Sequence, residues 1–254
     1  MADLTHFDPW RDLSRLTTAR IGLGRAGASL PTREVLDFQL AHARARDAVH
    51  LPFDSAALEA ELAGRGWAVL SVASQAPDRA TYLQNPNRGR RLSAESAQRL
   101  ADWHAAPAPG CDIAFVVADG LSALATHKHA VPVLDAVVPL LGGQGWRVGP
   151  IVVAQQARVA LGDEIGQALG AEVVAVLIGE RPGLGSADSL GVYVTYAPRV
   201  GRSDAERNCI SNVRLEGLSY AEAARKIQFL VTGARRLKLS GVGLKDETDT
   251  PALE

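Results

Sequence analysis

Three polar segments hold most of the side chains in this chain that could bind or transform a small molecule: residues 155–159, 180–189 and 202–212. The first offers the amides of Gln155 and Gln156 and the guanidinium of Arg158. The second brings Glu180, Arg181 and small hydroxyls, and the third brings Asp204, Glu206, Asn208, Asn212 and the thiol of Cys209. None of these segments contains a histidine, so the spacing provides no nucleophile–base pair. Such groups suit holding a large, amide-rich ligand better than breaking a bond. Composition alone favours a plainer alternative, in which Glu180 and Arg181 form a surface ion pair and Cys209 is a small buried apolar residue.

The rest of the chain is equally bare of catalytic signatures. No GxSxG, Walker loop, HExxH or paired zinc motif occurs, and Cys111 and Cys209 form neither a CxxC pair nor a disulfide framework. His127 and His129 fall in a region of helical periodicity, where positions i and i+2 point apart, so a shared metal would require unwinding. His42 and His50 read as hydrogen-bonded core or boundary residues of another helix. Asp119 and Ser122, just beyond an apolar run, either cap the following helix or offer groups to ligand hydroxyls, capping being favoured.

Two further motifs need structural context. Residues 21–27 spell GxGxxG, with Asp47 as an acid further on. A dinucleotide site requires a strand before the glycines and a helix opening directly on them. Here a helix precedes them and Pro31-Thr32 intervenes, so a flexible loop is expected instead. Residues 85–91, NPNRGRR, are a turn followed by a basic cluster. It is either a solvated loop or an anchor for a phosphate or a carboxylate-bearing partner.

The elements that must position these groups follow from periodicity. Asp8-Pro9 starts a short helix to about Arg20, and Thr32 caps a helix with apolar residues at Val35, Phe38, Ala41, Ala45, Ala48 and Val49. Asp54 caps another that ends near Gly64. Residues 67–73 could form a strand, and 78–83 a helical turn or two. From Ser93 the pattern changes. A helix through Leu100 and Trp103 stops at 107–110. Short β-branched runs at 113–118, 151–154 and 173–178 then alternate with helices at about 121–141 and 159–169. Such alternation predicts parallel strands joined by right-handed crossovers and buried on both faces. Residues 190–196 add a fourth strand, a capping box at Ser219–Glu222 opens a last helix, and the tail from Lys245 is polar. The predicted architecture is α/β. A mainly helical N-terminal region, 1–92, precedes a Rossmann-like, mostly parallel sheet domain, 93–254.

The totals bound the partners. The 254 residues carry a net charge of −1, and no block of five like charges occurs, which argues against nucleic acid as the main partner. Apolar runs fall far short of the ~20 residues that span a bilayer. The opening residues have no signal-peptide pattern, so a cytoplasmic, non-membrane protein is expected.

Long segments of the chain resemble a known family. IGERPGLGSADSLGVYVTYAPRVG and DAERNCISNVRLEGLSYAEAARKI are similar to the small (light) subunit of ethanolamine ammonia-lyase. DPWRDLSRLTTARIGLGRAGASLPT, FQLAHARARDAVH, DRATYLQNPNRGRRL, ADGLSALA and RVALGDEIGQALGA extend the similarity over nearly the whole chain. The resemblance implies conversion of ethanolamine to acetaldehyde and ammonia, with adenosylcobalamin (coenzyme B12) held between two kinds of subunit. It implies a large subunit built as a TIM barrel, carrying the substrate pocket and the catalytic residues, so no catalytic residue is expected here. Its corrin contacts fall on Val159 in RVAL, Glu180 in IGERPG and Cys209 in RNCIS. The absent DxHxxG motif agrees with a family that keeps the cofactor's own benzimidazole on cobalt. The family pattern RPDLGRRL is NPNRGRRL here, so no role transfers to Asn85, Asn87 or Arg88. A short N-terminus leaves packaging into a bacterial microcompartment open. A stand-alone nucleotide-binding module and an assembly subunit without cofactor contact are the competing expectations.

Overall fold

The computed structural model describes residues 5–6, 8–17, 19–105, 110–246 and 248. The expected helix stop at 107–110, apart from Gly110, and most of the polar tail lie outside them. Strands β1 (Thr5–His6) and β2 (Arg25–Ala26) pair antiparallel around a 3-10 helix, Pro9–Leu16. Asp8 caps that helix by accepting from Trp10 N at 2.9 Å, but the helix ends four residues short of Arg20. The GxGxxG glycines lie in the irregular turns before and after β2, and all three have positive φ. Helix α1 (Thr32–His50) begins only after them. Pro31 occupies its N-cap, so Thr32 is the first helical residue and not the cap. No strand–glycine–helix arrangement forms.

Helix α2 (Ser55–Gly64) starts as expected, with Asp54 accepting from Ala57 N at 3.0 Å. Then follow β3 (Val69–Ala73), α3 (Arg79–Gln84), α4 (Ala94–Ala105), β4 (Ile113–Ala118), α5 (Ala123–Gly143), β5 (Val148–Gln155), α6 (Leu161–Ala168), β6 (Val173–Gly179), β7 (Leu190–Tyr196), β8 (Arg207–Val213) and α7 (Tyr220–Leu237). Six strands form one sheet in the order β3-β5-β4-β6-β7-β8. The first four are parallel; β7 runs the opposite way and pairs antiparallel with both β6 and β8. The fold is thus α/β with a mostly parallel sheet behind a helical N-terminal region. Strand β3, from the N-terminal side of residue 92, forms its edge.

The fourth strand runs antiparallel, because its connection, residues 180–189, holds no helix and is too short for a crossover. Residues 202–212 are not one loop, because most of them form the edge strand β8, placing Cys209 in mid-strand.

Side-chain alternation divides the sheet into two unequal faces. On one, Phe115, Val117, Val153, Ala175, Leu177, Val192, Val194 and Ile210 pack against α2, α5 and α7. On the other, Val116, Val152, Val174, Val176 and Ile178 pack against α4 and α6. Burying each large aliphatic side chain is worth about 1.5–3 kcal/mol, enough to hold the helices on both faces. Among the described residues no helix extends the second layer over β7 and β8. That part of the second face stays uncovered.

Candidate functional site

Ligands of open α/β sheets usually enter where neighbouring strands send their helices to opposite faces. Here that place is the crevice between the carboxyl ends of β4 and β5, since α5 packs on the first face and α6 on the second. The chain fills it with its own groups. Asp119 is buried and accepts from Gly120 N and Ala157 N at 3.0 Å each and from Gln156 N at 3.1 Å. Arg79 Nη1 lies 3.4 Å from its other side and also donates to Gly120 O at 2.8 Å. Burial pushes the Asp119 carboxyl up to about 6, against the pull of these donors. Ser122 caps α5 by accepting from Ala125 N at 3.2 Å. Gly120 permits the turn: its φ is +55°, and a Cβ there would lie 2.2 Å from Gly179 O. Of the two roles open to these residues, the structural one is what forms.

The histidines also have local duties. His127 Nε2 accepts from Asp54 N at 3.1 Å, whereas His129 Nδ1 pairs with the Tyr220 hydroxyl at 2.8 Å. They serve different neighbours, and no metal-ligating cluster exists among the described residues. His42 and His50 are exposed, contrary to expectation.

An open hollow lies on the uncovered part of the second sheet face. Its volume is about 240 Å³, and Val159, Ala160, Tyr193 and Cys209 line it together with Arg90, Arg158, Asp204 and Arg207. Val159 arrives on the β5–α6 loop. Tyr193 and Cys209 are direct partners in the β7–β8 register. Val159 and Cys209, far apart in sequence, are therefore brought together.

Glu180 stands one step along the same face. A Cβ on Gly191 would lie 2.9 Å from Glu180 Oε1 and 3.2 Å from Tyr193 Cε2, so glycine leaves room for the carboxylate beside the ring. The Glu180 carboxylate accepts from Ser189 Oγ, from Ser211 Oγ at 2.6 Å and from Asn212 N at 3.3 Å. A carboxylate has about four acceptor positions, so roughly one remains for a ligand. Arg181 makes no ion pair with it among the described residues, and Cys209 is exposed. Both halves of the plainer alternative therefore fail.

The floor is closed by an ion pair that sequence reasoning missed. Arg207 Nη1 and Nη2 reach Asp163 Oδ1 and Oδ2 at 2.5 and 2.7 Å, joining β8 to α6, with both side chains buried. Arg207 also donates to Thr195 Oγ1 and to the carbonyl of Arg202. Tyr193 was missed too, although Leu190, Val192 and Val194 already assign one face of the strand and leave the ring on the other.

Desolvation in the hollow raises the Cys209 thiol above its usual range, and the Glu180 carboxylate adds to the shift. The same cause raises Tyr193. Both groups stay neutral at physiological pH and act as weak donors, not as a nucleophile and its base. In the isolated chain, iodoacetamide should therefore label Cys209 more slowly than an ordinary exposed thiol, since the thiolate is the reacting form. Cys111, buried beside the Leu169 carbonyl, should remain unlabelled over the same period. Peptide mass analysis reads both sites; faster modification at Cys111 would contradict this assignment.

Residues 7–245 match the family model described as ethanolamine ammonia-lyase light chain (EutC). The chain belongs to the ethanolamine ammonia-lyase light-chain family. A protein of Azotobacter vinelandii named ethanolamine ammonia-lyase small subunit is 60% identical over 247 residues, covering 97% of this chain and 92% of its own. Proteins of the same name from Ralstonia nicotianae and Pseudomonas syringae pv. tomato are 60% and 58% identical, each over 97% of this chain and over 92% and 86% of theirs. The light-chain match runs through all the elements that build the hollow, from the β5–α6 loop to β8. No helix among the described residues is long and apolar enough to cross a membrane.

Proposed function

We propose that the chain is the small subunit of an adenosylcobalamin-dependent ethanolamine ammonia-lyase, which converts ethanolamine to acetaldehyde and ammonia. In this proposal it completes the cobalamin site with a TIM-barrel large subunit, which carries the substrate pocket. Residues 93–254 form most of the cobalamin-facing part, while the mainly helical residues 1–92 add strand β3 to its sheet and Arg90 to the hollow, in a complex that works in the cytoplasm. The supporting observation is the hollow itself, where Val159 and Cys209 meet and Glu180 stands one step away on the same uncovered face.

The residues present fit the edge of a corrin. Such a ring is apolar across its face and fringed by neutral amides. Val159 and Ala160 offer apolar contact, the remaining acceptor position of Glu180 suits an amide N–H, and Tyr193 and Cys209 are neutral donors. At about 240 Å³ the hollow is smaller than the ~300–1,000 Å³ that encloses a drug-sized ligand, so it holds only part of a corrin. Another chain must cover the remainder. Bound adenosylcobalamin would supply radical chemistry through its cobalt–carbon bond, while this chain orients and shields it. Ser189 and Ser211 hold Glu180 still, so little side-chain freedom is lost when it receives its partner.

The purified chain should not deaminate ethanolamine, whereas mixing with the large subunit and adenosylcobalamin should restore turnover. An inactive mixture would sink the proposal. Glu180→Ala should leave assembly intact and weaken cobalamin binding by about tenfold, one hydrogen bond to a charged group. Undiminished affinity would favour a subunit that serves assembly alone. Specific NAD or ATP binding by the isolated chain would favour a nucleotide-binding module.

A further inference from the structure

We infer that one wall of the hollow is a phosphate subsite, built by Arg158 and Arg90 beside the start of α6, for the phosphodiester of cobalamin's nucleotide tail. It rests on the cobalamin reading and adds a part of the cofactor that Val159, Glu180 and Cys209 leave unaddressed. Both arginines line the hollow, and neither makes an ion pair among the described residues. The nearby acids are committed elsewhere. Glu164 pairs with Arg91 at 3.4 Å and accepts from Leu92 N, Asp163 holds Arg207, and Asp204 lies 3.5 Å from Arg207 Nε. Arg90, Arg158 and Arg207 thus outnumber Asp163 and Asp204 around one concavity, a positive surplus that an anion relieves and a neutral ligand does not.

Arg158 is held for this purpose. Its guanidinium carbon lies 4.2 Å from the Tyr82 ring centroid, and Nη2 donates to Tyr82 O at 3.2 Å. Tyr82 is fully buried and anchored through its hydroxyl to Ala157 O at 3.0 Å, so the platform is rigid. Arg158 Nε is buried without an acceptor, and Nη1 has no hydrogen-bond partner among the described residues. The Arg158 N–H donates to Gly89 O at 2.8 Å, which ties the turn bearing Arg90 to the loop bearing Arg158. The backbone N–H groups of Val159 and Ala160 have no acceptor among the described residues, and α6 begins without a side-chain cap. Free amides at a helix start strengthen an anion site that the arginines define. A fork of guanidinium donors matches phosphate oxygens in charge and in geometry.

The test uses the assembled complex of both subunits, with corrinoid binding read by the visible corrin spectrum in equilibrium dialysis. The probes are aquacobalamin, cobinamide phosphate, cobinamide and inorganic phosphate. The wild-type complex should bind cobinamide phosphate about 10–100-fold more tightly than cobinamide, the gain expected of charged hydrogen bonds. Arg158→Met and Arg90→Met should each shrink that ratio, and the double variant should abolish it while binding cobinamide as the wild type does. Arg90 is exposed and makes no contact the fold depends on, so its variant keeps the test independent of folding. Equal binding of the two cobinamides by the wild type, or a full preference in the variants, overturns the inference and leaves the cobalamin reading standing. Failure of every corrinoid to bind overturns both. Tight binding of inorganic phosphate without any corrinoid preference assigns the arginines to a free anion, which also overturns it.

Discussion

Replacing Arg207 with methionine is expected to lower the unfolding free energy by about 3–5 kcal/mol, the cost of leaving a buried charge without its partner. For a chain of this size that is a fall in melting temperature of roughly 10 °C. The stranded group is Asp163 on α6, whose carboxyl burial already pushes up while Arg207 pulls it down. Without the guanidinium, Asp163 is driven to take up a proton, so the deficit should narrow in acid. Thr195 Oγ1 and the Arg202 carbonyl lose a donor as well. The pair is not indispensable in chemical terms. Replacing both residues with apolar ones of similar size, Asp163→Leu with Arg207→Met, should recover most of the loss, because well-packed apolar groups often equal a buried ion pair. Urea unfolding of the three variants checks this. A double variant as unstable as Arg207→Met alone would show that hydrogen bonds to Thr195 and Arg202, not the charge pair, carry the stability.

The second large effect is a pH dependence centred on Asp119. Its carboxyl is shifted from 3.8 up to about 6 by burial. The folded protein therefore binds this proton more tightly than the unfolded chain does. The stability it contributes is complete below pH 4 and is lost as the pH rises through 6, by about 3 kcal/mol in all. Asp119→Asn removes the titration. The stability difference between wild type and variant, followed by urea unfolding from pH 4 to 7.5, should move against the wild type as pH rises. Other carboxylates titrate in both proteins and cancel. A constant difference would mean that Arg79 and the three backbone N–H groups keep Asp119 ionised throughout.

Much of this structure is legible in the sequence where burial is uniform. Strands β4, β5 and β6 are covered on both faces, so each reads as an unbroken apolar run. The caps at Asp8, Asp54, Ser122 and Ser219 read directly, because their partners lie two or three residues away. The direction of β7 could be read only from the length of its connection. Strand β8 escaped because Arg207, Ile210 and Val213 are its only buried residues, a spacing of three that hides the period of two. For the candidate site, Val159, Glu180 and Cys209 were singled out through resemblance, and their surroundings were not foreseen. Glu180 is fixed by Ser211, 31 residues away, and Arg207 by Asp163, 44 away. Arg158 matters because of Tyr82, 76 residues earlier. Pairings at such separations leave no local pattern.

The position of β8 fixes when the hollow comes into being. Asn208 is tied to the carbonyls of Gly241 and Leu244, and Gly241 N donates back to Asn208 Oδ1, so the strand is clamped by residues near the end of the chain. During synthesis the strands β3 to β6 and their helices can condense first, since N-terminal segments fold first. The wall bearing Cys209 is secured only after residue 244 has emerged. A polypeptide cut short before that point could keep a well-packed core yet present no finished surface to a partner.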